Sequence, residues 1–445
     1  MKIAETGKGR FLITAADDAL FRGKIDGGQK ICPLDHANAE ALRKAFPFTA
    51  PVPVLKNKKT IGLGDRLGLA TPGHIGVLKG YPDYKPVLAQ QSMRELKLTG
   101  RTYENVLDDV TFAVFQEGYT GGFGADGDHL KTAADIKYAL DCGYTMITLD
   151  CSDYIDNTII NLSDAEVESK YQGDKELEKK YIGKAFKVEG ESLTFDEKSF
   201  KRIMLTYKKA IDFAIEIYFS LFAGGKSKAD FELSIDETLT PTTPLQHFFV
   251  ANELVAAGVR PATVAPRFCG EFQKGIDYIG DIAQFQKEFA VHAKIARYFG
   301  YKISVHSGSD KFAVFGIIGK ETNGVFHVKT AGTNWLEAVR VIAAKAPVLY
   351  RRMHKYALSV LSEAKKYYHI GAKVENITDI DTLIDKQLPL YLDKNDSRQV
   401  LHITYGLLLD KMRGEIYAVL NEYGDEYRNN IEFHIGKHLK ELNKR

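Results

Sequence analysis

The chain has 445 residues, a formal net charge of +2, and 44% hydrophobic and 27% charged residues. This composition is typical of a soluble globular protein, and the balanced charge excludes a bulk electrostatic case for nucleic-acid binding. No apolar stretch is long enough to predict a membrane helix, and the amino terminus lacks the apolar core of a secretory signal. We therefore expect a cytoplasmic protein with reduced cysteines and with neither a membrane nor a nucleic-acid partner.

Residues 1–60 carry no motif and are predicted to form an N-terminal extension with a short helix at 37–46. Strand-like and helix-like segments then follow one another along the chain. The predicted strands are 85–92, 111–115 and 144–149, and the predicted helices are 102–109 and 132–142. Thr132 is a suitable cap for the second helix, and Gly143 is placed to end it.

Residues 153–201 interrupt this alternation with a charged, lysine-rich stretch of weak periodicity. We interpret the stretch as an insertion between a strand and the next helix. It is either a lid over a functional site or a solvated surface excursion.

The alternation returns after the insertion and continues to about residue 350. The predicted helices are 199–223, 244–257, 282–299 and 335–344, and the predicted strands are 230–235, 261–268, 301–306 and 325–330. Strands that alternate with amphipathic helices indicate a parallel sheet, and about seven or eight such units favour a closed TIM-type (β/α)8 barrel. The barrel core is assigned to 61–350. Residues 351–445 are predicted to be mainly helical and to complete the barrel, with a loop at 376–396 and a last strand at 401–405.

Polar clusters close several of the apolar segments, which a folding core alone does not require. The clusters are GADGDH (124–129), ITLDCSD (147–153), ELSIDET (232–238), RFCGE (267–271), ISVHSGSDK (303–311) and HVKTAGT (327–333). In a parallel α/β protein the carboxyl ends of the strands face a common mouth. The pattern therefore predicts one large polar site, as in an enzyme.

Two of these clusters contain histidines suited to metal binding. Asp128 and His129 are adjacent on a glycine-rich segment, where the imidazole can bind a metal while the carboxylate moves a proton. His306 closes its strand and would face the barrel mouth. The alternatives are an ordinary surface pair for the first two and a hydrogen-bonded structural histidine for the third.

Strand parity groups further candidates. Glu232, Ser234 and Asp236 share one face of a strand, and a buried acidic pair needs a metal, a cation or a catalytic proton. His327 and Lys329 share a face of another strand, where His327 is either a third metal ligand or a core histidine. Mixed histidine and carboxylate ligation suits zinc or manganese.

A dinucleotide fingerprint has to be weighed as well, because residues 122–127 (GFGADG) fit G-x-G-x-x-G. Asp126 and Asp128 would stand where the pyrophosphate charge has to lie, and like charges repel there. We therefore expect no nicotinamide cofactor.

Seven of these segments resemble the tagaturonate epimerase family of bacterial hexuronate catabolism. They are GLGDRLGLATPGHI, QQSMRELKLTGRTYENVLDDVTFAVFQEGYTGGFGADGDH, SIDETLTPTTP, EFQKGIDYIGD, YKISVHSGSDKF, FHVKTAGT and HITYG. The resemblance covers roughly residues 60 to 410. It implies a metal-dependent TIM-barrel isomerase that interconverts D-tagaturonate and D-fructuronate, and some family members also act on fructose and tagatose.

By this resemblance Asp128 is the proton acceptor and Glu232 its acid partner. His129 and His306 bind the divalent ion, with His327 as the third ligand and Glu271 as the alternative. Lys329, Lys311 and Arg267 are predicted to bind the substrate carboxylate, and Gln91 and Asp236 are further predicted substrate contacts.

The inverted carbon lies β to the ketone, so the carbonyl does not activate its C–H bond. We favour a retro-aldol step, in which a metal stabilises an enediolate while the neighbouring carbon–carbon bond breaks. Transient oxidation is the alternative and needs a nicotinamide. Two other hypotheses remain from the sequence: an NAD-dependent sugar-acid oxidoreductase and a sugar-binding protein without turnover.

Overall fold

The computed structural model describes residues 1–6 and 9–444. The chain begins with β1 (Lys2–Thr6), β2 (Gly9–Ala15), β3 (Lys24–Asp26) and β4 (Gln29–Pro33), which form an antiparallel sheet in the order β1-β2-β4-β3. Helix α1 (His36–Ala45) follows, and the Asp35 side chain caps it by accepting a hydrogen bond from the backbone N–H of Asn38. The predicted helix at 37–46 is therefore confirmed.

Eight parallel strands close into a barrel, which confirms the predicted TIM-type fold. The first four are β5 (Lys59–Leu63), β6 (Tyr84–Ser92), β7 (Gly124–Leu130) and β8 (Met146–Asp150). A separate hairpin follows, formed by β9 (Ala185–Val188) and β10 (Glu191–Thr194). The barrel continues with β11 (Asp230–Ile235), β12 (Thr263–Pro266), β13 (Lys302–Val305) and β14 (Phe326–Thr330), and β14 pairs with β5 to close it.

Helices surround the barrel and fill the carboxyl-terminal region. Those up to the last barrel strand are α2 (Thr71–Leu78), α3 (Met93–Thr99), α4 (Tyr103–Glu117), α5 (Ala133–Asp141), α6 (Asp164–Lys170), α7 (Lys175–Tyr181), α8 (Glu197–Leu221), α9 (Pro244–Ala256), α10 (Ile282–Phe299) and α11 (Phe312–Glu321). Those after it are α12 (Thr333–Lys345), α13 (Pro347–Ser359), α14 (Leu361–Ala364), α15 (Asn395–Ile403), α16 (Tyr405–Glu422) and α17 (Gly424–Leu442). Among the described residues, no helix is long and apolar enough to cross a membrane.

Two predicted strands are wrong. Residues 111–115 belong to α4, because a capping box at Thr102 and a left-handed Gly118 delimit one continuous helix with apolar residues at helical spacing. The strand in this part of the chain is β7, so the cluster at 124–129 is itself a strand rather than the end of one. Residues 401–405 span the end of α15 and the start of α16, so the predicted last strand is helical.

Most of the insertion at 153–201 lies along the outer helices, and only its first residues contact the segments that follow β7 and β11. Tyr181 packs against Phe249 of α9 with ring centroids 4.9 Å apart. In the β9–β10 hairpin, Glu189 pairs with Arg297 of α10 at 2.6 Å. None of the residues that line the cavity described below comes from this segment. These contacts favour the surface excursion over the lid.

The barrel interior is polar, whereas TIM barrels usually fill it with branched apolar side chains. Side chains with almost no exposure include Thr60, Thr148, Thr263, Lys302, Ser304 and His327. Each such group needs a hydrogen-bond partner inside the barrel. The interior therefore supplies a polar layer beneath the charged site, in which Lys302 donates to the Thr60 hydroxyl at 2.8 Å.

Candidate active site

A bulge in β7 turns His129 toward the barrel mouth. The pairing of β7 with β8 shifts register between Gly127 and Leu130, and His129 has a backbone φ of 54°. Strict alternation would put Asp128 and His129 on opposite faces of the strand. Instead the His129 Nδ1 lies 2.9 Å from the Asp128 Oδ1. Non-glycine residues seldom adopt a positive φ, and such strain concentrates at functional sites.

Lys329 lies at the centre of three carboxylates. Its Nζ is 2.7 Å from Asp126 Oδ2, 2.7 Å from Asp128 Oδ1 and 2.8 Å from Glu232 Oε1, and its side chain is 4% exposed. Burial disfavours the ammonium form, but these carboxylates raise the pKa of Lys329 well above its usual range. Its charge is thus held by protein groups, which leaves little positive potential for the substrate carboxylate predicted to bind there.

Burial and the neighbouring charges give the two aspartates of β7, Asp126 and Asp128, very different pKa values. Burial raises the pKa of Asp126 to about 7 even though Lys329 opposes the shift. Burial acts on Asp128 as well, but Lys329 and His129 outweigh it and hold the pKa of Asp128 well below its usual range. Of the two, Asp128 lines the cavity and is the ionised carboxylate near neutral pH.

Glu232 lies behind His306 and is fully buried. Its Oε1 is 2.7 Å from the His306 Nε2, and it also accepts a hydrogen bond from the Thr148 hydroxyl at 3.1 Å. The Thr263 hydroxyl donates to its other oxygen at 2.5 Å. Burial opposes ionisation of Glu232, but Lys329 and His306 hold its pKa well below the usual range.

Asp236 brings the two mouth histidines together. Its Oδ2 is 3.2 Å from the His306 Nδ1, and its Oδ1 is 3.7 Å from the His129 Nε2. The His129 and His306 rings are 4.8 Å apart between centroids. One ligand atom from each of His129, Asp236 and His306 can be chosen so that all lie within 4.8 Å of one another.

The carboxylates also control the protonation of these histidines. Burial disfavours the imidazolium form, yet Asp128 and Asp236 raise the pKa of His129 well above its usual value. Burial likewise opposes the charge on His306, but Asp236 and Glu232 raise its pKa. Cations are thus favoured at this point of the barrel mouth, because Asp236 adds a fourth carboxylate to the three that surround Lys329.

The two residues expected to supply the third metal ligand lie elsewhere. His327 is fully buried below Lys329, with its Nδ1 2.9 Å from the Thr60 hydroxyl. Burial lowers the pKa of His327 to about 3. Glu271 is exposed and pairs through its backbone with Ile279. Neither belongs to the His129–Asp236–His306 cluster, in which the third group is Asp236.

Two of the cations predicted to bind the substrate carboxylate, Lys311 and Arg267, donate hydrogen bonds to backbone carbonyls. The Lys311 ammonium donates to the carbonyls of Gln273, Ile276 and Ser309 at 2.9, 2.6 and 2.8 Å. An ammonium has three hydrogens, so none remains for a substrate. The Nη1 of Arg267 donates to the carbonyl of Thr238, and Arg267 lines a neighbouring cavity that also reaches His306 and Asp236 but not Asp128 or His129.

Gln91 of β6 was predicted to contact the substrate, but its neighbours on the strand line the cavity instead. Gln90 and Ser92 line the cavity, whereas Gln91 does not. Alternation along the strand explains the correction, because Gln91 has the opposite parity and its side chain is buried away from the mouth. Glycine at position 62 accommodates Gln90, since a Cβ there would lie 1.8 Å from the Gln90 Oε1.

The same cavity is lined by a second group of residues that the sequence did not single out. They are Arg66, Arg94, Lys274, Tyr368 and His402. Arg66 and Arg94 lie in segments quoted above for their distinctive sequence, which was the available signal. Lys274 and His402 lie in two further segments of that kind, EFQKGIDYIGD and HITYG, whereas Tyr368 lies in none of them and had no sequence signal.

The G-x-G-x-x-G match does not have the geometry of a dinucleotide fingerprint. Such a motif turns from a strand into a helix. Here Gly124 opens β7 and Gly127 lies within it, where a Cβ would come 3.0 Å from both the Ala139 and Leu130 side chains. These glycines serve close packing in the barrel wall.

Comparison with known proteins identifies the family of this chain. A sequence model of the tagaturonate epimerase family matches residues 5–442. The tagaturonate/fructuronate epimerase of Thermotoga maritima is 42% identical, over 97% of this chain and 92% of that protein. Two crystal structures of the fructuronate–tagaturonate epimerase from Cohnella laeviribosi, one native and one with one glycerol, each superpose with a TM-score of 0.96 at 50% identity, over 99% of this chain and 93% of that chain. The chain belongs to the tagaturonate epimerase family.

Proposed function

We propose that this protein is a metal-dependent epimerase that interconverts D-tagaturonate and D-fructuronate by a retro-aldol route. The observation that carries the proposal is the convergence of His129, Asp236 and His306 beside Asp128 on one cavity. The relatives, which are tagaturonate/fructuronate epimerases, supply the substrate pair. The surroundings of the cluster supply the reasons for a metal and for a base.

The residues present fit a divalent ion. Two imidazoles and one carboxylate are a ligand set that zinc or manganese accepts, with a further position left for substrate or water. Glu232 at His306 Nε2 is the outer partner that metal-binding histidines usually have, and it leaves Nδ1 for coordination. When bound, the ion would supply Lewis-acid stabilisation of the charge that develops on the ketone oxygen.

Asp128 is suited to take the proton of the hydroxyl on the inverted carbon. It lines the cavity and is ionised. Loss of that proton turns the hydroxyl into an aldehyde as the bond to the adjacent carbon, which lies next to the ketone, breaks. The bond electrons move to the ketone side as an enediolate. Rotation of the aldehyde and re-addition from its other face restore the bond, and Asp128 returns the proton.

Glu232 does not fit the expected role of acid partner, because Lys329 and His306 hold its pKa well below the usual range and leave it ionised near neutral pH. Its oxygens contact only protein groups, and it does not line the cavity. An ionised carboxylate without access to the substrate cannot be the direct proton donor, so the return of the proton is left to Asp128. We propose that the contribution of Glu232 is to orient His306 and to hold Lys329 beside Asp128.

An NMR time course with D-tagaturonate, without added nicotinamide, tests the proposal. We expect D-fructuronate to appear, to stop forming with a chelator, and to form again when zinc or manganese is restored. Solvent deuterium fixed at the inverted carbon would contradict the retro-aldol route, whereas trapping of a three-carbon aldehyde fragment would support it. Absence of turnover with any divalent ion would overturn the function.

A further inference from the structure

The cavity contains positive charge for which the proposed chemistry has no use. The reacting groups Asp128, His129 and His306 share the cavity with Arg66, Arg94 and Lys274. These three cations come from the segment after β5, from α3 and from the loop after β12. No step at the inverted carbon requires them. We therefore expect these three cations to bind a part of the ligand that does not react.

Lys274 is held beside the reaction centre without a carboxylate partner. Its Nζ donates to the Ser307 hydroxyl at 2.8 Å, and Ser307 follows His306 directly. No ion pair of Lys274 occurs within 4.0 Å among residues 1–6 and 9–444. Burial, together with the nearby charges of Arg94 and Arg66, lowers the pKa of Lys274. A bound anion would relieve this repulsion.

Arg66 offers a buried donor. Its Nε and Nη2 donate to Glu95 at 3.0 and 2.9 Å, and its guanidinium lies 3.8 Å from the Tyr405 ring centroid. Its Nη1 is buried and has no hydrogen-bond partner among the described residues. A buried donor left unpaired is costly unless a ligand completes it.

Arg94 forms the exposed side of the group. Its guanidinium lies 4.8 Å from the Tyr368 ring centroid, and its Nη1 donates only a long hydrogen bond of 3.4 Å to the Tyr367 carbonyl. The planar guanidinium keeps donors available for a bidentate contact with a carboxylate. Tyr368 thus positions Arg94 over the cavity.

We propose that Lys274, Arg94 and the Nη1 of Arg66 form the subsite for the substrate carboxylate and set the preference for a hexuronate over a neutral ketohexose. The proposal rests on the proposed function and names the part of the site that selects its substrate class. It replaces Lys329 and Lys311 in that role because their donors are committed to protein groups, and it replaces Arg267 because Arg267 does not line the cavity that holds Asp128 and His129.

Steady-state kinetics of Lys274→Met and Arg94→Gln test the subsite. We expect KM for D-tagaturonate to rise about 10-fold or more in each variant while kcat changes little, because a charge-assisted hydrogen bond is lost from both ground and transition states. Lys274→Arg should restore much of the loss. Lys97→Met removes an exposed lysine of α3 that lines neither cavity at the mouth, and it should leave KM unchanged.

D-tagatose, which lacks the carboxylate, distinguishes recognition from structural damage. The variants should bind D-tagatose as the wild type does. The subsite is overturned if KM for D-tagaturonate stays within about twofold of wild type, or if binding of both sugars falls equally. If the wild type turns over neither sugar, the proposed function fails. The subsite is then decided by binding, because D-tagaturonate should raise the melting temperature of wild type and Lys274→Arg but not of Lys274→Met.

Discussion

Glu232 Oε1 lies 2.7 Å from the Nε2 of His306 and 2.8 Å from the Nζ of Lys329. One buried carboxylate thus holds both a proposed metal ligand and the lysine that keeps Asp128 ionised. Removing its charge should affect both groups while leaving the substrate contacts in place. This relationship makes the site a single electrostatic unit.

Glu232→Gln should therefore lower both metal affinity and kcat, by about 10- to 100-fold, because outer partners of metal-bound histidines usually contribute that much. Metal titration and initial rates at saturating metal check the two effects separately. KM for D-tagaturonate should change little. The orienting role would be contradicted if the variant bound metal with normal affinity, kept its kcat and showed only a raised KM.

Asp128→Asn should reduce epimerisation by at least about 100-fold, since a positioned base contributes about 10²- to 10⁴-fold. Asp126→Asn is the matched control, because Asp126 contacts the same lysine at 2.7 Å but does not line the cavity. It should lose far less activity. An NMR time course measures both, and equal losses would show that the charge on Lys329, rather than Asp128 as a base, matters.

Metal content should distinguish Asp236 from His327 as the third ligand. Asp236→Asn is expected to lose bound metal after dialysis, because Asp236 contacts both mouth histidines. His327→Gln should retain it, because His327 bonds to Thr60 away from the cluster. Elemental analysis of the dialysed proteins is the measurement. Retention in the first variant and loss in the second would restore His327 to the ligand set.

His354 should make the fold sensitive to acid. Burial lowers its pKa to about 4, and neither ring nitrogen has a hydrogen-bond partner among the described residues. The pKa of His354 in the unfolded chain is near 6.5. As pH falls from about 6.5 toward 4, His354 therefore binds a proton in the unfolded chain but stays neutral in the folded chain. Stability is therefore complete above this window and decreases within it.

Between pH 7 and pH 5 the free energy of unfolding should fall by about 2 kcal/mol less in His354→Leu than in wild type, because leucine takes up no proton on unfolding. Melting temperatures of wild type and variant at the two pH values test this difference. His369→Gln changes an exposed histidine and should leave the difference as in wild type. Identical pH dependence in wild type and His354→Leu would contradict the prediction.

Two glycines of α11 should respond oppositely to alanine. A Cβ at Gly319 would lie 2.2 Å from the Leu442 carbonyl oxygen of α17, and backbone cannot yield as a side chain can. Gly319→Ala should therefore destabilise the docking of α17, by about 1–3 kcal/mol. At Gly316 the nearest atom is 3.9 Å away, so Gly316→Ala should stabilise by about 0.5–1 kcal/mol through helix propensity.

Thermal unfolding of the two alanine variants provides the check. Because the substitutions lie one turn apart on the same helix, their propensity contributions are equal and only the contact with Leu442 differs. A stabilising Gly319→Ala would show that α17 can shift away without cost.

Local patterns predicted the longer helices and most barrel strands but missed short helices such as α2, α3 and α11, because burial repeats every two residues in a strand and about every 3.6 in a helix and a short helix shows few repeats. The α4 segment shows the limit. Its β-branched residues at 110–114 suggested a strand, but the caps at Thr102 and Gly118 and the packing of one apolar face decided for a helix. Such a choice depends on what lies opposite the segment in the folded protein.

By itself the sequence determined which side chains lie at the ends of barrel strands, because chain order and the polar clusters identify Asp128, Asp236 and His306, which share the mouth. It could not determine their partners. The strained backbone at His129 overrides parity, and the enclosure of Lys329 depends on the register among strands far apart in the chain. Only the tertiary structure brought Arg66, Arg94 and Lys274 to one cavity, since a local pattern carries no information on which distant loops converge.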